Sequence, residues 1–417
     1  MSPTPLTAWT LGAVALAALV LPPVVVAAVA FAVVVAALVD ANAARRRLEV
    51  TRSAPALLAR GVPAPLSLRV DHQTSGRGRV RVRQPVPPDL ALDPSEAQGG
   101  LEAALVARRR GRHTLAAAAL RIDGPLGLGC CYRRAGTDHE ILVYPDLPAA
   151  RRLAVALRQG RFGDPGQANR GPLGLGTDFE SIRDYAPDDD IRQVNWVATA
   201  RTGRAMSNQY RVERDRDVLV VVDSGRLMGA PLGELTRLDA AVDACAAVAL
   251  AADELGDRCG CVAFDQRVLR KMTPRRKGSG ALVKTLFDLE PSDLDSDYEL
   301  AFRTVGGNKR ALVFVFTDLL DEAAARSLLG AAPWLARRHV VQIVSATDAG
   351  LDDLLAASPL APEDVYASGV ALDMLEARAR VARRLRRAGA GVLEAPPERL
   401  GGACVRAYLR AKLTARL

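Results

Sequence analysis

DVLVVVD (residues 217–223) and, further along, ALVFVFTD (residues 311–318) decide the fold of this chain. Each is a short, unbroken apolar run closed by a carboxylate, as expected of a strand buried on both faces of a parallel sheet. Val340–Val344 and Gly391–Glu394 read as a third and a fourth strand. Helical periodicity fills the gaps. It runs over Leu235–Leu255, where Gly256 stops it, and again over Ala281–Leu289 and Tyr298–Thr304. Cys259–Phe264 and Val268–Lys271 read as a strand hairpin. Strand and helix in alternation predict a mainly parallel sheet with helices on both sides, an α/β Rossmann-like domain over residues 216–417.

The upstream half reads differently. Leu66–Val70 and Val80–Arg83 alternate apolar with polar residues, and Pro85, Pro87, Pro88, Gly99 and Gly100 supply breaks. Residues 45–150 are therefore expected to form a small antiparallel β-sandwich. Within it, Gly124-Pro125-Leu126-Gly127-Leu128-Gly129 superficially suggests a phosphate loop. It lacks the closing Lys-Ser/Thr and no helix pattern follows, so it reads as a turn between strands.

From Leu6 to Val39 no charged residue occurs. One straight helix of that length would reach ~50 Å, well beyond a ~30 Å hydrocarbon core. Pro22-Pro23 interrupts it near the middle. A transmembrane hairpin of two short helices over residues 1–44 fits both facts. The start is not basic and the apolar run is too long for a cleaved signal peptide. Arg45-Arg46-Arg47 follows the run, which puts the soluble part on the cytoplasmic side of the cell membrane.

With 417 residues the chain is long enough for several cores. Its net charge is +9, yet the basic residues are scattered Arg with no interleaved stacking aromatics, which argues against nucleic acid as a partner. Cys130, Cys131, Cys245, Cys259, Cys261 and Cys404 show no zinc spacing and read as free thiols in a reducing compartment. Asp293, Asp295 and Asp297 lie two apart without the Gly and Glu of a calcium loop, so they read as solvated turn carboxylates.

Residues 151–215 read as a linker, rich in Gly and Pro from Gly160 to Gly176, that delivers the chain into GLGTDFESIRDYAPDDDIRQVNWVATAR (residues 174–201). Phe179, Ile182 and Tyr185 are three apart, which predicts one side of a helical turn broken by Pro187. Asp188, Asp189 and Asp190 stand where a second helix would start, with Ile191, Val194, Val197 and Ala198 as its apolar face. Arg183, Arg192 and Arg201 are candidate ion-pairing groups for these carboxylates. Tyr185 and Trp196 are candidate interface anchors or core.

This segment resembles the signature of the bacterial family known as domain of unknown function 58 (DUF58). The matching residues are Asp178, Phe179, Arg183, Tyr185, Pro187, Asp189, Asp190, Arg192, Asn195, Trp196, Ala200 and Arg201. Asp184, Asp188 and Val194 depart from the pattern. The Gly-Pro-Leu-Gly-Leu turn and Val143-Tyr144-Pro145-Asp146 extend the resemblance. It implies a von Willebrand factor A-like C-terminal domain, whose strand ends can hold a Mg²⁺-like ion. Asp223 and Asp318 match the two metal carboxylates, while the hydroxyl positions fall on Gly225 and Leu227.

The resemblance also implies a partner, a MoxR-type AAA ATPase, in the assembly or maturation of other proteins. The expected function is thus a membrane-anchored interaction or scaffold protein and not an enzyme. A carboxylate-dependent hydrolase using Asp189 and Asp190, or a metal-dependent adhesion module, is the alternative.

Overall fold

The computed structural model describes residues 2–45, 48–71, 79–159, 178–186, 191–211, 215–306, 309–319, 325–356 and 361–413. The chain divides into two compact units, Met1–Val143 and Tyr144–Leu417. The glycine-rich stretch 160–176 and the run Pro187, Asp188, Asp189, Asp190 lie outside the described residues.

In the first unit, alternation does what the sequence asks. Val80 and Val82 are buried while Arg81 and Arg83 are exposed, and Leu66, Leu68 and Val70 line one side of the strand Ala64–Asp71. The strands form sheets of five, four and three members with antiparallel pairing, and their inward residues share one core that includes Val82, Leu101, Leu105, Leu115 and Ile141.

Helices α1 (Pro5–Ala17) and α2 (Pro23–Ala43) precede these strands. Pro22 and Pro23 separate them, as a missing N–H donor at a helix start allows. The two arms differ in length, 13 and 21 residues, where the sequence suggested equal halves. Among the described residues, only α2 is long and apolar enough to cross a membrane. Both helices end on the Gly124–Gly129 turn. Thr4 and Thr7 hydroxyls donate to the Leu128 carbonyl. The Asp40 carboxylate, 1% exposed, accepts the backbone N–H groups of Leu126, Leu128 and Gly129 at 2.8, 2.8 and 2.9 Å. The turn therefore holds an anion with its backbone, as phosphate loops do, but the anion is the chain's own aspartate. Its glycines allow the approach: a Cβ on Gly129 would sit 2.4 Å from the Ala37 carbonyl oxygen and 2.5 Å from the Ala41 nitrogen.

The second unit contains the expected sheet. Its strands are β1 (Asp217–Asp223), β2 (Arg258–Phe264), β3 (Val268–Arg276), β4 (Leu312–Phe316), β5 (Val340–Ala346) and β6 (Gly391–Ala395), in spatial order β3-β2-β1-β4-β5-β6. All neighbours are parallel except the β2–β3 edge hairpin. The remaining helices are α3 (Leu147–Arg158), α4 (Trp196–Thr202), α5 (Arg237–Glu254), α6 (Ser279–Leu286), α7 (Tyr298–Val305), α8 (Arg326–Ala336), α9 (Ala349–Ala356), α10 (Pro362–Arg387) and α11 (Pro397–Leu413). Val218, Val220 and Val222 of β1 pack with residues of α3, α5, α6 and α11. Leu219 and Val221 face the other way, into the layer of α7, α8 and α10. A strand buried on both sides has no use for a polar residue, which is why β1 reads as a solid apolar run.

Three expectations change here. Residues 151–158, expected in the linker, and 147–150, expected in the sandwich, form one helix: α3 starts at an Asp146 cap and buries Ala150, Ala154 and Leu157. Residues 178–184 are not a helical turn but a strand paired with Met206–Arg211. A bulge between Phe179 and Ser181 makes the three residues from Phe179 to Ile182 equal to two ladder steps, which imitates the first helical interval, while Tyr185 lies beyond the end of the strand. Finally, the arginines of the helix expected from about Leu372 to Arg387 read in the sequence as a solvated basic face, but Arg378 is not on one. It lies in the stripe Ala371, Arg378, Val381, Ala382, Leu385 and is buried with it.

All six cysteines are buried and none forms a disulfide. Burial pushes the Cys259 and Cys261 thiols up to about 12, leaving almost no reactive thiolate near neutrality. At pH 8 a thiol reagent such as Ellman's should leave these two unmodified in the native chain and label them once denaturant is added. Gly129→Ala should lower the unfolding temperature of the detergent-solubilised chain, because overpacking against backbone atoms costs about 1–3 kcal/mol. Unchanged melting would show that the turn does not grip α2.

Candidate functional site

Helix α5 begins with a capping box, in which the Thr236 hydroxyl accepts the Asp239 N–H and the Asp239 carboxylate accepts the Thr236 N–H at 2.9 Å. It ends at Gly256, whose φ of 74° suits glycine. The box fixes Arg237 as the first helical residue, directed at the carboxyl ends of the strands. From β1 the chain crosses first to β2 on one side and later to β4 on the other. The ends of β1 and β4 are thus the place where strand order reverses, the usual position of a ligand crevice in open α/β sheets. Asp223 closes β1, and Thr317 and Asp318 follow β4.

Asp223 is 2% exposed and all its lone pairs are in use. One oxygen accepts the Gly225 N–H at 2.8 Å and the Ser296 hydroxyl. The other accepts the Tyr298 and Thr317 hydroxyls, each at 2.7 Å. A Cβ built on Gly225 would meet Ser296 Oγ at 2.1 Å, so Ser296 occupies the space a longer residue at 225 would need. Burial, reinforced by the Asp223 charge, pushes the Tyr298 hydroxyl well above its ordinary value.

Asp318 turns away from this cluster. Its Oδ1 accepts Arg237 Nη1 and Arg378 Nη2, each at 3.1 Å, and the Leu319 N–H at 3.0 Å. Both guanidinium groups also donate to the Ala346 carbonyl at 3.0 Å, and Arg378 donates to the Ser345 hydroxyl. Burial pulls Arg237 down from the ordinary arginine value; Asp318 opposes this and Arg378 adds to it. A Mg²⁺-like ion needs free oxygen donors in a negative field. Here the hydroxyls are committed to Asp223, and two buried cations neutralise Asp318. This donor set does not fit such an ion. Among the described residues no group of three or more His, Cys, Asp or Glu could hold a metal.

The residues around 178–211 form a second, separate module. Asn195 organises it: its side chain caps α4 by accepting the Ala198 N–H at 2.9 Å and donates to Asn208 at 2.8 Å. Gly203, at φ 68°, closes the helix. Helix α4 starts at Asn195 and not at the carboxylates upstream. Ile191–Gln193 forms a 3₁₀ turn. Trp196, Val197 and Ile191 are 70%, 65% and 70% exposed, so Trp196 is not core. Tyr185 is half-buried, and Arg183 and Arg201 are exposed. The side chain of Arg192 is not among those described. Asp295 pairs with Arg226 at 2.9 Å and Asp297 caps α7, giving those turn carboxylates structural work.

Sequence reasoning named Asp223 and Asp318 but not Arg237, Ser296, Tyr298 or Arg378. Only Arg378 carried a signal, since it falls in step with Leu375, Val381 and Leu385 on the buried side of α10.

The fold and site together define a multidomain chain with an antiparallel β unit, an α/β unit and an apolar N-terminal helix. Residues 181–388 match the family described as "Protein of unknown function DUF58". The uncharacterized proteins Mb1516 of Mycobacterium bovis and Rv1480 of Mycobacterium tuberculosis are each 24% identical over 212 residues, 49% of this chain. The match spans 66% of each relative's length, just under two thirds.

Asp318→Ala should be severely destabilising, because it strands two buried guanidinium groups, a loss on the order of 3–5 kcal/mol. Denaturant unfolding checks this. Alkali supplies a second test. Tyr298, Cys259 and Cys261 all keep their protons longer in the folded chain, so their contribution is intact at neutral pH and is lost as pH rises. The unfolding temperature should fall above about pH 9, where the unfolded chain begins to release these protons.

Proposed function

We propose that this chain is a membrane-anchored protein-interaction or scaffold protein that works with a MoxR-type AAA ATPase in the assembly or maturation of other proteins. Trp196 carries the reading. A folded, capped helix exposes a large aromatic beside Val197 and Ile191, and tryptophan held this way is the residue type that dominates binding hot spots. The resemblance of this segment to the DUF58 signature supports the choice of partner.

Helix α2, at 1.5 Å per residue, rises ~31 Å, but its last turns, around Ala37 and Asp40, rest on the Gly124–Gly129 turn, so its free apolar part enters a locally thinned ~30 Å hydrocarbon core. With α1 it forms a hairpin in the bilayer whose two open ends rest on the Gly124–Gly129 turn, and the remainder faces the cytoplasm beside Arg45. The six-stranded sheet, with Asp223 and Thr317-Asp318 at its reversal point, supports the von Willebrand factor A-like reading of the second unit.

Gentle membrane extraction followed by co-purification tests the proposal. The ATPase should co-elute with the native protein, and the doubly substituted Trp196→Ala, Val197→Ser protein should retain it at least about tenfold less well, as expected for loss of a hot spot. Recovery of the native protein alone in every extraction would sink it.

A further inference from the structure

We infer that Arg237 and Arg378 stand where this kind of fold would seat a divalent cation, so that the strand-end face is closed by guanidinium–carboxylate bonds and operates without metal. Three independent observations converge. Positions two and four after Asp223 are Gly225 and Leu227, which have no oxygen to give, and Ser296 from another loop fills the vacated space by bonding Asp223 itself. Tyr298 inserts a third hydroxyl that donates to Asp223, so the carboxylate is satisfied by neutral donors alone. Asp318 carries two guanidinium groups whose side chains are 8% and 3% exposed.

The forks are committed inward. One terminal nitrogen of each arginine, Nη1 of Arg237 and Nη2 of Arg378, donates to both Asp318 and the Ala346 carbonyl, while the Nε of each is buried without a partner. Two planar guanidinium groups together carry the charge of one divalent ion and add fixed bonding directions. Asp348 is the next carboxylate that Arg237 feels, so Asp318 and Asp348 face two cations, and the remaining carboxylate, Asp223, is already filled by the Gly225 N–H and three hydroxyls. It follows that an acidic side chain from a partner cannot complete a metal shell here. This holds whether or not the face docks a partner, so its failure and that of the scaffold reading are separable.

The test uses the detergent-solubilised full-length chain. Mn²⁺ is titrated and followed by electron paramagnetic resonance, and thermal unfolding is measured with EDTA and with millimolar Mg²⁺. The native protein should show no saturable Mn²⁺ site that depends on Asp223, and its unfolding temperature should be the same in both media, since a ligand bound to the folded state alone would raise it. Equal Mn²⁺ uptake by the native and Asp223→Ala proteins would come from surface carboxylates and leave the inference standing. Asp318→Asn should lower the unfolding temperature by the same amount with and without Mg²⁺. One saturable Mn²⁺ site in the native protein that Asp223→Ala removes, or stabilisation by Mg²⁺ that the same substitution abolishes, would overturn it.

Discussion

Asp318 is one carboxylate shared by two helix layers. Arg237 opens α5 on one face of the sheet and Arg378 belongs to α10, which packs on the other. Both reach over the ends of β4 and β5 to the same oxygen and the same carbonyl. The desolvation of three charges is offset only because each has partners in the right directions, and the arrangement fixes how both layers sit on the sheet. Neighbouring Asp223 extends the same logic with neutral donors. Ser296 lies in the loop after α6 and Tyr298 opens α7, so the β1 end is tied to a distant stretch of chain.

The first unit repeats the device with different chemistry. Asp40 would be costly to bury alone, but the Gly124–Gly129 turn offers it three backbone N–H groups. Neither unit leaves a carboxylate uncompensated at these points, and in both the compensation joins elements far apart in sequence. A third instance is Asp257, fully buried and bonded by Tyr408 and Lys412, which fastens α11 to the start of β2.

Much of this fold was legible because it rests on burial. Val218–Val222 and Leu312–Phe316 announce two-sided strands, and Val80–Arg83 announces a one-sided one, since each side chain's surroundings are set by its parity in the strand. What stayed hidden depends on partners distant in sequence. Nothing near Tyr298 says that its hydroxyl reaches Asp223, and nothing near Asp40 says that a turn some eighty-odd residues away will receive it. The strand at 178–184 was misread because its bulge imitates helical spacing. Asn195 was visible as part of a signature, yet its work as a cap shows only in three dimensions.

The clasp between Asp40 and the Gly124–Gly129 turn has a mechanical meaning. Because Gly124 and Gly129 approach the helix too closely to admit even a methyl group, there is no slack in which α2 could swivel. Any turn of α2 about its own axis would have to break the three N–H bonds to Asp40, so the anchor resists twisting as well as pulling.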